Sequence, residues 1–303
     1  MSPFHILALD GGGIRGVVQA RLLGWLDVRV RELAQLSPAS SGDSFLDFVE
    51  MFAGTSVGGI NALALAMHRP KTPSELVGLF QRDGARIFQG AWWRQGVMVA
   101  DYDDVGRLAV MRDQFGSALR LRDLPKRVLI PALDLDRDGD RREKYFHNFP
   151  GGTSDGEELV VDVAMRTSAA PVYFPSYQGY VDGGLFCNNP TISAVAKALK
   201  SGVLLEDVRV LSIGTGRAAD PIRGDRLDWG AGRWARHIID CALDNGRTPD
   251  YQASELLGPA QYRRLDPPLP EAFALDDVAA VPELLKAADA YAATPAFGEA
   301  AAW

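Results

Sequence analysis

Residues 48–59 read Phe48-Val49-Glu50-Met51-Phe52-Ala53-Gly54-Thr55-Ser56-Val57-Gly58-Gly59, and an Ala/Leu-rich stretch from Ile60 follows without a break. The apolar first half predicts a buried strand, Phe48–Ala53, and the Ala/Leu stretch predicts a helix that ends near His68. Between them stands a serine in a Gly-x-Ser-x-Gly turn. A sharp strand-to-helix turn leaves no room for side chains beside neighbouring backbone, which is the reason for Gly54 and Gly58. The turn also sets Ser56 at a helix N-terminus, where unpaired amides and the helix dipole favour negative charge. A serine that only caps a helix has the same pentapeptide. The strand before it and the helix after it favour a nucleophile.

Upstream, the apolar run Phe4–Leu9 ends at Asp10-Gly11-Gly12-Gly13-Ile14-Arg15-Gly16, and a helical pattern runs from Val17 to about Leu36. Gly11, Gly13 and Gly16 satisfy the dinucleotide fingerprint G-x-G-x-x-G. That fingerprint also needs an acid at the end of a second strand about 20 residues on, where this chain still has helix and then the loop Ser37–Ser44. The alternative is a loop that presents successive amides to an oxyanion. Arg15 suits either an anionic substrate or a carboxylate that holds the loop in place.

Downstream, Pro70 and Pro73 punctuate the chain, with Thr72 or Ser74 placed to cap the next helix. Arg127–Leu133 predicts a third strand, Asp134–Arg142 a charged turn, and Lys144–Phe149 an edge strand. A helix over Leu159–Ser168, the turn Asp182-Gly183-Gly184 at the end of a strand from Gly179, a helix over Thr191–Lys200 and a strand over Val208–Ile213 follow. Strands alternating with helices predict an α/β fold with a mostly parallel central sheet and helices on both faces. Residues 217–303 predict surface helices and one strand near Gln261–Leu265. No internal repeat or linker divides the chain, so a single domain over 1–303 is expected, with its motif-bearing core at about 4–216.

The 303 residues include 39 acidic and 32 basic ones, a formal charge of −7. That balance argues against nonspecific nucleic-acid binding, which needs a basic surface. Two distant cysteines, Cys187 and Cys241, indicate neither a disulfide framework nor a zinc site. The N-terminus lacks the pattern of a signal peptide, and the most apolar stretch, Ile60–Met67, is too short to span a bilayer. A cytoplasmic protein is expected, with no metal or cofactor.

A serine hydroxyl needs a neighbour to take its proton. Of the four histidines, His5 lies inside the first strand. His68 is about 18 Å from Ser56 along its helix at ~1.5 Å per residue. His147 sits in an aromatic segment, and His237, in an expected surface helix, is the only one placed late enough for a Ser-His-acid triad. A carboxylate can serve instead, and Asp182 ends its strand at the sheet edge that carries Ser56. An Asp that only bonds its own turn reads the same way.

The three motifs occur in one order, with Thr167-Ser168-Ala169-Ala170-Pro171, Tyr173-Phe174-Pro175, Asn188-Asn189-Pro190 and Leu211-Ser212-Ile213-Gly214-Thr215-Gly216 between and after them. Over about residues 4–216 the chain resembles the patatin-like phospholipases, and its Asp-Gly-Gly-Gly start is similar to that of plant patatins. The resemblance implies a three-layer α/β/α fold and a Ser56–Asp182 dyad without histidine. It implies an oxyanion hole from the amides of Gly11, Gly12 and Gly13, supported by Arg15, Gly54, Gly58 and Gly183. It further implies hydrolysis of lipid esters through an acyl-enzyme on Ser56, with no metal, on lipid met at a membrane surface. Acyl transfer to another acceptor and non-catalytic lipid binding are the alternatives. Some bacterial relatives are defence effectors switched on by a nucleotide signal, so an effector with a small nucleotide activator is a further alternative, although the sequence shows no nucleotide site. Trp92 and Trp93, in a glycine-interrupted aromatic segment, are candidates for a lid or interfacial wedge.

Overall fold

The computed structural model describes residues 3–35, 44–90, 99–218, 228–230, 234, 237, 241 and 246–303. Trp92 and Trp93, and most of the expected loop Ser37–Ser44, lie outside the described residues. One seven-stranded sheet forms from β1 (Phe4–Leu9), β2 (Met51–Gly54), β3 (Arg127–Arg137), β4 (Asp140–His147), β5 (Tyr180–Asp182), β6 (Val208–Ile213) and β7 (Tyr262–Leu265). The order is β4-β3-β2-β1-β6-β7, with β5 paired to β3. The β3–β2–β1–β6–β7 pairs are parallel, while β4 and β5 are antiparallel to β3. The mostly parallel sheet expected from the alternation of elements is present.

Helices cover both faces because the strands bury both. Alternation along β1 shows how: Leu7 and Leu9 belong to one core, and Ile6 and Ala8 to the other. The first core lies under α1 (Gly16–Leu33), α2 (Val57–Leu65), α3 (Pro73–Ile87), α4 (Val105–Phe115) and α5 (Val160–Thr167). After the short α6 (Gly184–Cys187), α7 (Thr191–Lys200) and α8 (Arg247–Leu257) close the second. Near the C-terminus, α9 (Val281–Ala292) and α10 (Pro295–Ala302) are not merely surface helices, since Leu284, Ala288 and Phe297 join the first core. Among the described residues, no helix is long and apolar enough to cross a membrane.

Two element boundaries differ from the reading of the sequence. Phe45–Phe48 is a 3-10 turn closed by a capping box between Ser44 and Asp47, so β2 starts only at Met51. Phe48 is 67% exposed, an apolar residue that the hydrophobic pattern alone had assigned to the strand. The charged segment Asp134–Arg142 is not a long turn. It continues β3 into β4 as a hairpin, pairing Asp134 with Arg142 and Arg137 with Asp140. Asp138 and Gly139 make the reversal, both with positive φ, as a two-residue Asp-Gly hairpin turn requires. Thr72 caps α3, accepting from the Glu75 amide, with Pro73 at its first position.

Candidate active site

The topology brings Ser56 and Asp182 to one point. β2 pairs with Arg127–Leu129 of β3, and β5 with Ala132–Asp134 on the same edge. Because β2 is parallel to β3 and β5 antiparallel, their C-terminal ends meet head to head. Pro131 of β3, with no N–H to offer, lies in the gap between them. Ser56 follows one strand end and Asp182 is the other, and both line a single cleft.

Ser56 has φ 54 and ψ −125, outside the regions comfortable for a side-chain-bearing residue. Such strain costs on the order of 1–3 kcal/mol and persists where the surroundings over-determine it. Here the packing does so. A Cβ on Gly58 would come within 2.5 Å of the Asp10 carbonyl oxygen, so α2 can start this close to the glycine loop only with glycine there. The Ser56 amide donates to Thr167 Oγ1 at 3.0 Å, and that hydroxyl donates to the Pro131 carbonyl at 2.6 Å.

Asp182 is 1% exposed. Its Oδ1 accepts from the Gly184 amide at 2.7 Å, and its backbone N–H donates to Ala169 O at 3.0 Å. Oδ2 is buried and has no partner in hydrogen-bonding geometry among the described residues. Burial pushes the carboxyl up to about 6, partly offset by the nearby Ser56 hydroxyl, the Gly184 amide and the charge of Arg107.

The glycine loop borders the same cleft through Gly12 and Gly13, whose amides have no acceptor among the described residues. Gly11 differs from the expectation: its amide donates to Asn188 O at 3.0 Å and is spent. Gly13 has φ 57 and lies against the Leu275 carbonyl, which accepts the Ile14 amide at 2.7 Å. Arg15 Nε donates to Gly12 O at 3.4 Å, a strut within the loop. Gly54 and Gly183 make close approaches to Gly58 and Pro131.

The loop is anchored by residues that sequence reasoning missed. Asp10, buried and pushed up to about 6 by burial, receives both ends of the Arg264 guanidinium, at 2.9 and 2.5 Å. Arg264 also reaches Asp266, whose other oxygen accepts the Gly216 amide. Gln19 Nε2 donates to Asp10 O and Ile213 O, and Asn61 of α2 donates to Gln19. The C-terminal segment therefore holds the glycine loop through Arg264 and Leu275. Arg264 is one of two adjacent arginines in the short strand Tyr262–Leu265, and nothing in that stretch marks it out for this role.

The rest of the cleft wall is mostly apolar, from Ile14, Val57, Ile60, Phe80, Met111 and Phe174 among others, and among the described residues Arg107 is its one basic side chain. None of the four histidines lines it. His5 bonds Phe48 O at the opposite end of β1, His68 is exposed beyond α2, His147 faces Lys197 at 2.9 Å, and His237 stacks on Trp229. Among the described residues no group of acidic, histidine or cysteine side chains is arranged to hold a metal.

The cleft thus brings together a strained serine at a helix N-terminus, a buried acid and two open amides, the kinds of group that serine hydrolases use. The profile of the patatin-like phospholipases matches residues 7–195. The chain is 34% identical to the putative sporulation hydrolase CotR of Bacillus subtilis over 76% of this chain and 68% of that protein. It is 31% identical to a cGAMP-activated phospholipase of Pseudomonas aeruginosa, covering 88% of this chain and 80% of that one. Protein teg of Priestia megaterium is 30% identical over 98% of both chains. The chain belongs to the patatin-like phospholipase family and is a lipid hydrolase.

Proposed function

We infer that this protein hydrolyses carboxylic ester bonds of phospholipids or related acyl lipids, met at a membrane surface, through an acyl-enzyme on a Ser56–Asp182 dyad. The observation that carries the reading is the head-to-head meeting of β2 and β5, which sets a strained Ser56 beside a buried acid with one free oxygen. The Ser56 Oγ attacks the ester carbonyl carbon, and its proton passes to Asp182 Oδ2. The carbonyl oxygen becomes an oxyanion held by the Gly12 and Gly13 amides. Collapse of the tetrahedral intermediate breaks the ester C–O bond, and Asp182 returns the proton to the leaving alcohol. Water then attacks the acyl-enzyme with Asp182 as base, releasing the fatty acid and restoring Ser56. A carboxyl raised to about 6 is a stronger base than an exposed Asp yet still ionised at neutral pH. The apolar cleft suits an acyl chain.

The test is fatty-acid release from a lipid panel by wild type, Ser56→Ala and Asp182→Asn. Both variants are expected to lose nearly all turnover, since the members of such a unit act together. Wild-type rates in Asp182→Asn would move the base elsewhere. Product analysis with added glycerol separates hydrolysis from acyl transfer.

A second reading concerns regulation. Three relatives, from Pseudomonas aeruginosa, Escherichia coli and Vibrio cholerae, are named cGAMP-activated phospholipases and are 31–34% identical to this chain. A cyclic dinucleotide as activator is the corresponding proposal, and lipid hydrolysis measured with and without cGAMP decides it.

A further inference from the structure

Arg107 of α4 is a guanidinium with 1% exposure in the wall of the cleft. Burying a charge without use is expensive, so its contacts are informative. Nη1 donates to the Ser168 carbonyl and, at 3.3 Å, to Ser168 Oγ. Nη2 donates to Asp104 at 2.6 Å, and the planar group stacks over Phe174 at 4.2 Å. Ser168 is the middle of a three-residue segment at the end of α5 that touches both members of the dyad. On one side Thr167 Oγ1 receives the Ser56 amide, and on the other Ala169 O receives the Asp182 amide.

We propose that Arg107 is the positioning residue of this site: by clamping the Ser168 carbonyl it fixes the Thr167–Ala169 brace that sets Ser56 and Asp182 relative to each other. The inference rests on the dyad reading above and extends it to a residue that touches neither reacting atom. The planar fork suits this task better than an ammonium, because it bonds Ser168 and Asp104 at once while stacking on Phe174. Its charge has a second effect. Arg107 is the charged group acting on Asp182, alongside the Ser56 hydroxyl and the Gly184 amide. Facing Arg107 are Asp104 at the N-cap of its own helix, Asp182 on β5 and Tyr177 before it. Loss of the cation should therefore raise the pH at which the base ionises.

The experiment compares full-length R107M, R107K, S56A and D182N on a soluble short-chain ester, with pH profiles of kcat and thermal melting. R107M is expected to lose about tenfold to a hundredfold in kcat, the scale of a misplaced catalytic group, with KM within about threefold by the same reasoning. Its acid limb should move to higher pH. R107K should keep the limb of wild type, because the charge remains, but still lose part of kcat, because the fork is gone. Inactive S56A and D182N beside an R107M of wild-type kcat and pH profile would overturn the role of Arg107 alone. Turnover persisting in S56A or D182N would remove the dyad and this inference with it. If R107M shows no cooperative melting transition, R107K decides: reduced kcat at an unshifted limb and near wild-type Tm supports the proposal, and wild-type kcat overturns it.

Discussion

Replacing Asp182 by Asn is expected to abolish turnover and, at neutral pH, to make the protein more stable. The carboxyl is 1% exposed and its pKa is pushed up to about 6 by burial, against about 3.9 in an unfolded chain. Two pH units at about 1.4 kcal/mol each give a penalty of about 3 kcal/mol for keeping this acid ionised in the folded state. The sign follows from proton counts. Between about pH 4 and 6 the folded chain holds a proton that the unfolded chain has released, so stability declines as pH rises through that window and levels off above it. Asn cannot ionise, and its carbonyl can still accept from the Gly184 amide. Its advantage should be near zero below pH 4, about half developed at pH 5 and roughly 3 kcal/mol at pH 7.5. For a chain of this size that is roughly 5 °C in Tm. Asp10, also pushed up to about 6, titrates in both proteins and cancels from the difference. Denaturant unfolding of wild type and D182N at pH 5.0 and 7.5 measures it. A variant no more stable than wild type at pH 7.5, or equally favoured at both pH values, would refute the idea that burial holds this acid at a functional but costly pKa.

Three further outcomes can be checked. On a soluble ester, kcat/KM should rise with pH through about 6 and then level, following deprotonation of Asp182. A profile flat down to pH 4.5 would count against the acid. Gly13→Ala forces a side chain at φ 57 into the Leu275 carbonyl. Displacing one of the two open amides should lower kcat by about a hundredfold, read by steady-state kinetics. Arg264→Met leaves Asp10 buried without its bidentate partner. It should destabilise by about 3–5 kcal/mol, and the same change in an Asp10→Asn background should cost clearly less when both are melted side by side.

Much of the site is legible locally. A strand, a glycine-flanked serine and a helix, in that order, describe the elbow because each piece is a short-range consequence of backbone sterics. The hairpin at Asp138-Gly139 had a local signal too, the Asp-Gly pair, but the surrounding charges masked it. Those residues project on a ribbon with little apolar burial, and hydrophobic periodicity is weak where there is no core to face. Phe48 misled in the opposite sense, since one exposed aromatic residue extends an apolar run without belonging to the strand. Gly11 belongs to the loop, but whether its amide is free depends on Asn188, a residue 177 positions away in the chain, which no pattern around Gly11 reveals.

The elbow turn at Ser56, the Asp-Gly-Gly turn at Asp182, the glycine loop and the α/β order of elements were legible in the sequence, because turn geometry and strand periodicity are encoded within a few residues. Tertiary structure decided the rest. The meeting of β2 and β5 depends on which edge of β3 each strand takes and in which direction it runs. The supports depend on the same packing: Arg264 on Asp10, Leu275 on Ile14 and Arg107 on Ser168. Each is a single polar side chain or carbonyl whose significance comes from burial, and burial is a property of the packed fold rather than of any stretch of chain.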